Sequence, residues 1–259
     1  MSLKIIAHRG ASAHAPENTL AAFQRAIDDG ADGIEFDVRL TKDGDAVVYH
    51  DRTLQRTAGQ YAEVVETNVK DLARLDVGKW FARANESDNP TDFIGETIPT
   101  VATALDFLSD FAGVIYIELK GKEQDIGRLT ERVATCLNER QMSGRVVVKS
   151  FKLSAIPRIK ELCPGVRTAA LFAPKIRNIL RKEKYLVRIA EELGADEISV
   201  HFSLATHKLL QKAERCGIAV VIWTADHPRW VKRAVKLGIK AIITNDPAKL
   251  IAARNLLQS

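Results

Sequence analysis

The sequence predicts an α/β fold: a single (β/α)8 barrel of the TIM type, with an antiparallel hairpin and an inserted excursion after the second strand. Three observations lead there. Short runs rich in Val and Ile alternate with stretches of helical periodicity, the pattern of parallel strands joined by helical crossovers. Eight strand–helix units can be read along the chain, the number that closes a barrel. The length of 259 residues matches the roughly 250 of a barrel built as one unit.

The strand runs are 4–8, 33–38, 113–119, 145–150, 167–172, 197–202, 219–224 and 240–245. After the first, Pro16 ends a loop, and Asn18 or Thr19 can cap a helix. Leu20, Phe23 and Ile27 then form a buried helical stripe, with Gly30 as a stop. Residues 103–111, 126–137, 186–193, 208–216 and 230–237 read the same way. A ninth run, 46–50, follows the second strand across Lys42-Asp43-Gly44, a tight turn. That gap is too short for a helical crossover, so the pair forms an antiparallel hairpin and returns His50 to the neighbourhood of Asp37. No Pro- or Gly-rich linker interrupts the series, which predicts one domain over 1–259. Residues 51–96 are polar and weakly periodic. They read as an excursion from the top of the barrel, either a lid or specificity loop overhanging the mouth with Tyr61, Trp80 and Phe81, or a spacer.

Composition excludes several classes. No apolar run approaches the ~20 residues of a membrane span, so no stable membrane anchor is expected. Few residues precede the first strand, which leaves no room for a signal peptide. Cys136, Cys163 and Cys216 have neither the number nor the spacing of a disulfide framework or a zinc site, and read as reduced thiols of a cytoplasmic protein. The net charge of +5 mildly favours anionic substrates. Lys175, Arg177, Arg181, Lys182, Lys184 and Arg188 form the densest basic stretch, read as the solvated face of an outer helix rather than a nucleic-acid or lipid surface. The expected partner is a small molecule.

In such a barrel the chemistry sits at the C-terminal ends of the strands. Glu35 and Asp37 are two apart on one strand, so both leave the same face, toward the barrel axis if Ile34, Phe36 and Val38 face the helices. Glu118 follows the same logic between Ile117 and Leu119. Close carboxylates in a poorly solvated mouth repel one another, and a divalent cation removes the conflict. Three carboxylates with no nearby Cys suit one hard ion, Mg²⁺ or Ca²⁺. His8 and His50 are the natural acid–base pair. Arg9 and Lys120 put fixed positive charge beside that cation site, which makes sense if an anion, most simply a phosphate, binds between them. Gly10 would let the backbone approach that anion. Glu17 is either a further polar contact in the site or a helix-start charge. His14 lines the mouth at most, and His201, His207 and His227 read as structural.

The stretches HRGASAHAPENTLAAF, DGIEFDVRLTKDGDAVVYHD, IELK, VIWT and ITNDP resemble the glycerophosphodiester phosphodiesterase family, a barrel branch related to phosphatidylinositol-specific phospholipase C. They run from the first strand to the last. The resemblance implies hydrolysis of a glycerophosphodiester to sn-glycerol 3-phosphate and an alcohol, with a divalent cation. It implies Glu35, Asp37 and Glu118 as metal ligands, His8 and His50 as general base and acid, and Arg9 and Lys120 as phosphate contacts. It also implies Trp223 as an aromatic wall near the glycerol. The nucleophile is water or the glycerol 2-hydroxyl by way of a cyclic phosphate. Two alternatives stand beside this: a phosphodiesterase directed at lysophospholipids and, from another class, a glycosidase using the paired carboxylates. The latter leaves Arg9, Lys120 and both histidines idle. No cage of aromatic residues for a quaternary ammonium head group is evident.

Overall fold

The structure, a computed structural model, describes residues 3–84, 93–174 and 183–258. It opens with β1 (Lys4–His8), α1 (Leu20–Asp28), β2 (Gly33–Leu40) and β3 (Ala46–Val48). Three short helices follow, α2 (Gln55–Ala58), α3 (Val69–Leu72) and α4 (Lys79–Ala84). Then come α5 (Val101–Phe107), β4 (Val114–Leu119), α6 (Glu123–Glu139), β5 (Val146–Ser150), α7 (Ala155–Leu162) and β6 (Arg167–Phe172). The chain ends with α8 (Glu183–Glu192), β7 (Glu197–His201), α9 (His207–Arg215), β8 (Ala219–Trp223), α10 (Arg229–Leu237), β9 (Ala241–Thr244) and α11 (Pro247–Gln258).

Eight of these strands pair in parallel and close through β1 against β2, while β3 pairs in antiparallel register with Val38, Arg39 and Leu40 at the end of β2, beyond its pairing with β1, as the hairpin predicts. Alternation along each strand divides the core. Ile34, Phe36, Val38, Ile115, Ile117 and Leu119 turn outward to the helices. Ile6, Val114, Tyr116, Val147, Ala169, Val221, Ala241 and Ile243 fill the barrel interior. Apolar burial on both sides of the strands is what a parallel sheet covered by helices requires.

Several boundaries differ from the sequence reading. Thr100 caps α5, its hydroxyl accepting from the Thr103 amide at 3.0 Å, so that helix begins and ends earlier than 103–111. Thr19, not Asn18, caps α1. The helix α7 carries Pro157 and lies outside the helical stretches read from the sequence; proline is tolerated there because the first-turn N–H groups lack intrahelical partners. Phe202 leaves β7 for a 3₁₀ turn. Of the basic stretch, Lys175, Arg177, Arg181 and Lys182 lie outside the described residues. Lys184 and Arg188 sit on α8, where Arg188 forms an exposed pair with Glu192.

The excursion has a small core of its own, in which Leu54, Val64, Leu72 and Val77 pack with Ile98, just beyond it, on Val47 and Tyr49 of the hairpin. Its aromatic residues correct the picture of three rings over the mouth. Phe81 is buried, edge-on to Trp80 and Phe93. Tyr61 is 90% exposed. Trp80 lies under the Arg56 guanidinium, 5.2 Å from its ring centre. The three cysteines are free, with Cys136 and Cys163 buried. Among the described residues no helix is long and apolar enough to cross a membrane.

Candidate active site

Strand register assembles the site. Pairing of β1 with β2 sets His8 beside Glu35, pairing of β2 with β4 sets Asp37 beside Glu118, and pairing of β4 with β5 sets Glu118 beside Lys149. Register partners in a parallel sheet point to one face, so all five side chains enter the barrel at its C-terminal mouth. Glu35, Asp37 and Glu118 are buried, and each offers an oxygen within 4.8 Å of the others.

Three buried carboxylates at that range need positive charge. Lys149 Nζ lies 2.7 Å from Glu35 Oε1 and 3.3 Å from Glu118 Oε2, and is itself 2% exposed. Lys120 Nζ pairs with Glu118 and lies 3.3 Å from Asp37 Oδ1, while Arg9 Nε lies 3.1 Å from Asp37 Oδ2. Burial pushes both carboxyls up, yet Lys149 holds Glu35 below its ordinary range and Lys120 with Arg9 holds Asp37 far below its own. The compensation is by proximity more than by hydrogen bonding. Glu35 Oε1, Asp37 Oδ1 and Glu118 Oε1 are buried, and the ammonium groups approach them off the directions a hydrogen bond requires. A set of carboxylate oxygens with unsatisfied lone pairs, gathered at one point, fits a divalent cation with oxygen preference.

The turn after β1 is tightly built. Arg9 and Gly10 both take left-handed backbone, with φ of 57° and 78°. The Arg9 amide donates to Glu35 Oε2 at 3.1 Å and the Gly10 amide to the Glu35 carbonyl at 3.3 Å. A Cβ on Gly10 would sit 2.6 Å from the Ala22 carbonyl carbon. Gly10 therefore serves the close approach of α1 to this turn and is buried beneath it, which corrects its expected role beside an anion. Asn18 is a member of the site that the sequence reading took for a possible helix cap. Its backbone is left-handed, its amide nitrogen donates to Asp37 Oδ2 and its amide oxygen accepts from the Asp37 N–H, both at 3.1 Å.

The two histidines differ in surroundings. His8 Nδ1 is 2.7 Å from Asn245 Oδ1. Asn245 donates its own side-chain nitrogen to Asp226 at 2.9 Å, so its oxygen must face His8, and His8 Nδ1 must carry the proton. Nε2 is left as the basic nitrogen, 4.0 Å from Glu35 Oε2. Burial lowers the His8 pKa, which keeps the ring neutral. His50 instead donates Nδ1–H to Asp51 at 2.7 Å, and Asp51 is held by Arg56 at 2.6 Å. Glu17 accepts from Arg9 at 2.9 Å and from Arg56 at 2.6 Å, so it belongs to this polar network rather than to the start of α1. Trp223 closes the opposite wall, edge-on to Phe151 and His201 with ring centres 5.7 and 5.6 Å away. His14 reaches Asp246 at the rim, and His201 and His227 turn to nearby backbone amides. Lys149, Asn18, Asn245 and Asp226 were not singled out as site residues from the sequence.

The chain matches the family described as glycerophosphoryl diester phosphodiesterase over residues 8–249. A glycerophosphodiester phosphodiesterase of Caldanaerobacter subterraneus subsp. tengcongensis is 31% identical over 255 residues, covering 97% of this chain and 97% of the relative. One from Bacillus subtilis is 31% identical over 249 residues, covering 93% of this chain and 83% of the relative. Among solved structures, a phosphodiesterase of Oleispira antarctica in complex with the product sn-glycerol 3-phosphate is similar at a TM-score of 0.86 and 25% identity, covering 97% of this chain and 96% of that one.

Proposed function

The chain belongs to the glycerophosphoryl diester phosphodiesterase family, and on that premise we propose that it hydrolyses glycerophosphodiesters to sn-glycerol 3-phosphate and an alcohol. The observation that carries this reading is the convergence of three buried carboxylates, two imidazoles and two fixed cations at one barrel mouth. Glu35, Asp37 and Glu118 would hold one divalent cation, Mg²⁺ or Ca²⁺. When bound, that cation supplies positive charge to the phosphate oxygens as the transition state gathers negative charge.

The protein's own groups do the rest. Arg9 and Lys120 bind the phosphodiester and orient it. His8, neutral and with Nε2 free, takes the proton from the nucleophile; that transfer is the same whether water or the glycerol 2-hydroxyl attacks. Asn245 and Asp226 hold the His8 ring in the tautomer this requires. His50, paired to Asp51, carries the proton delivered to the leaving alcohol as its P–O bond breaks. Trp223 offers an apolar wall to the glycerol. A glycosidase fits less well, because it needs one carboxyl with a raised pKa and here Glu35 and Asp37 are both held down. We also read the chain as one domain with 51–96 as an insertion, and as cytoplasmic, in keeping with its free thiols.

The test is product analysis with glycerophosphocholine, glycerophosphoethanolamine and a lysophospholipid, with EDTA and after Mg²⁺ or Ca²⁺ is restored. The expected result is sn-glycerol 3-phosphate from the two soluble diesters, lost in EDTA and regained with the cation. Activity that persists in EDTA, or release of free glycerol with the phosphorylated head group, overturns the reading.

A further inference from the structure

Two grooves leave the mouth, and they differ in charge. One lies on the β1/β9 side and is bordered by His8, with Arg9 and Lys249 against Glu17, Asp226 and Asp246. The other, of about 270 Å³, runs between the ends of β2, β4 and β5 and under the Val64 turn of the excursion. Its charged lining is mostly basic: Arg39, Arg52, Lys120, Lys122 and Lys152 against Glu63 and Asp125. Arg52 is paired to Glu63, and Lys152 lies 3.5 Å from Glu123. Arg39 and Lys122 form no ion pair with a carboxylate within 4.0 Å among the described residues, although Asp37, Asp51 and Glu118 act on the Arg39 charge from farther off and Glu63 faces both. The half-buried Arg39 guanidinium makes one hydrogen bond there, from Nε to the His50 carbonyl at 2.8 Å, which leaves its two terminal nitrogens to the groove. Lys120 is the wall shared by groove and site, touching Asp37 on one side and the face of Phe151, 5.9 Å from its centre, on the other.

We infer that this basic groove receives the leaving alcohol and selects alcohols that carry an anionic group, a carboxylate or a further phosphate. The inference rests on the reading of His8 as the base. Attacking and leaving oxygens lie roughly in line across the phosphorus. If the nucleophile meets His8, beside the first groove, the leaving oxygen departs on the far side of the phosphate. Lys120, a phosphate contact in this reading, is also a wall of the second groove, so that groove opens beside the phosphate and away from His8. A guanidinium with free terminal nitrogens in a partly desolvated groove is suited to bidentate recognition of carboxylate or phosphate. The excursion residues Glu63, Val64 and Val65 line the groove's outer side, which makes this part of the excursion an element of head-group selection rather than a spacer.

The experiment compares kcat/KM for glycerophosphoserine and glycerophosphoethanolamine, whose leaving alcohols differ by one carboxylate. A third diester, with glycerol phosphate as its leaving alcohol, reports on a phosphate in the same place. Wild-type enzyme is expected to favour each anionic substrate over the ethanolamine diester by about tenfold, the scale of one charge-assisted contact. In Arg39→Gln the ratio should fall toward one, and in the surface variant Lys122→Met by about two- to threefold. A merely structural Arg39, acting through the His50 carbonyl, would slow all three substrates alike and leave the ratios unchanged. A wild-type ratio near one, or ratios that neither variant moves, overturns the inference. Absence of hydrolysis of every diester with Mg²⁺ or Ca²⁺ present would instead overturn the reaction it rests on.

Discussion

Replacing Lys149 by Met keeps the length of the side chain and removes the one fully buried cation of the site. Wild-type Nζ bridges Glu35 at 2.7 Å and Glu118 at 3.3 Å, with 2% of the lysine exposed. The variant leaves two buried carboxylates facing Asp37, with Lys120 and Arg9 as the remaining counter-charges. Breaking one side of a buried ion pair costs about 3–5 kcal/mol. At roughly 2–4 °C per kcal/mol for a chain near this size, Tm in EDTA should drop by about 6–20 °C. A divalent cation supplies the lost charge, so Mg²⁺ or Ca²⁺ should raise the Tm of the variant more than that of the wild type. The pH dependence has a definite sign. Wild-type Glu35 sits below its unfolded value against the push of burial, so its contribution is present above about pH 4.3 and is lost as pH falls through its folded pKa. Without Lys149, burial and Asp37 prevail and the folded Glu35 pKa rises above the unfolded one. The variant then loses stability as pH rises through that value, and the gap between the proteins should be wider near pH 8 than near pH 5. Thermal melts in EDTA and in cation, at both pH values, test this. Equal Tm values in EDTA, or an equal cation-induced rise in both proteins, would refute the idea that Lys149 neutralises the cluster.

Glu35→Ala, Asp37→Ala and Glu118→Ala should each weaken Mg²⁺ or Ca²⁺ binding in calorimetry and remove most activity; unaltered cation binding in any of them would exclude that residue as a ligand. His8→Ala or His50→Ala should lower kcat by about two to four orders of magnitude while cation affinity is largely kept. A double mutant no worse than either single would show the two acting as a unit. Because burial lowers the His8 pKa, the acid limb of kcat/KM should fall below the ordinary histidine range, and Asn245→Ala, which frees the ring, should reshape that limb; an unchanged profile would deny Asn245 its positioning role. Gly10→Ala should destabilise the fold, since φ of 78° and a Cβ 2.6 Å from the Ala22 carbonyl carbon both resist it; a melt within about 1 °C of wild type would count against the close packing of α1 on that turn.

Much of the molecule is legible in the chain because its signals are local. The strand–helix rhythm needs only periods of two and 3.6 residues, and the short Lys42-Asp43-Gly44 turn forbids anything but a hairpin before β3. The two-residue spacing of Glu35 and Asp37, and the alternation around Glu118, already send three carboxylates inward. Missing from that reading is what those carboxylates face. Lys149 stands next to last in β5 after three valines, and nothing local marks it as a partner of the carboxylates until β4–β5 register sets it beside Glu118. Asn18 looks like a helix cap until closure of β1 on β2 brings the loop against Asp37. Asn245 stands 237 residues from His8, and only the meeting of the first and last strands lets it choose the imidazole tautomer. The basic groove likewise draws its lining from β2, β4, β5 and the excursion, four segments with no sequence relation. Side-chain direction is set residue by residue along a strand, so the sequence alone determines which groups point inward. Which of them become neighbours depends on the register of separate strands around a closed barrel, and only the tertiary structure decides that.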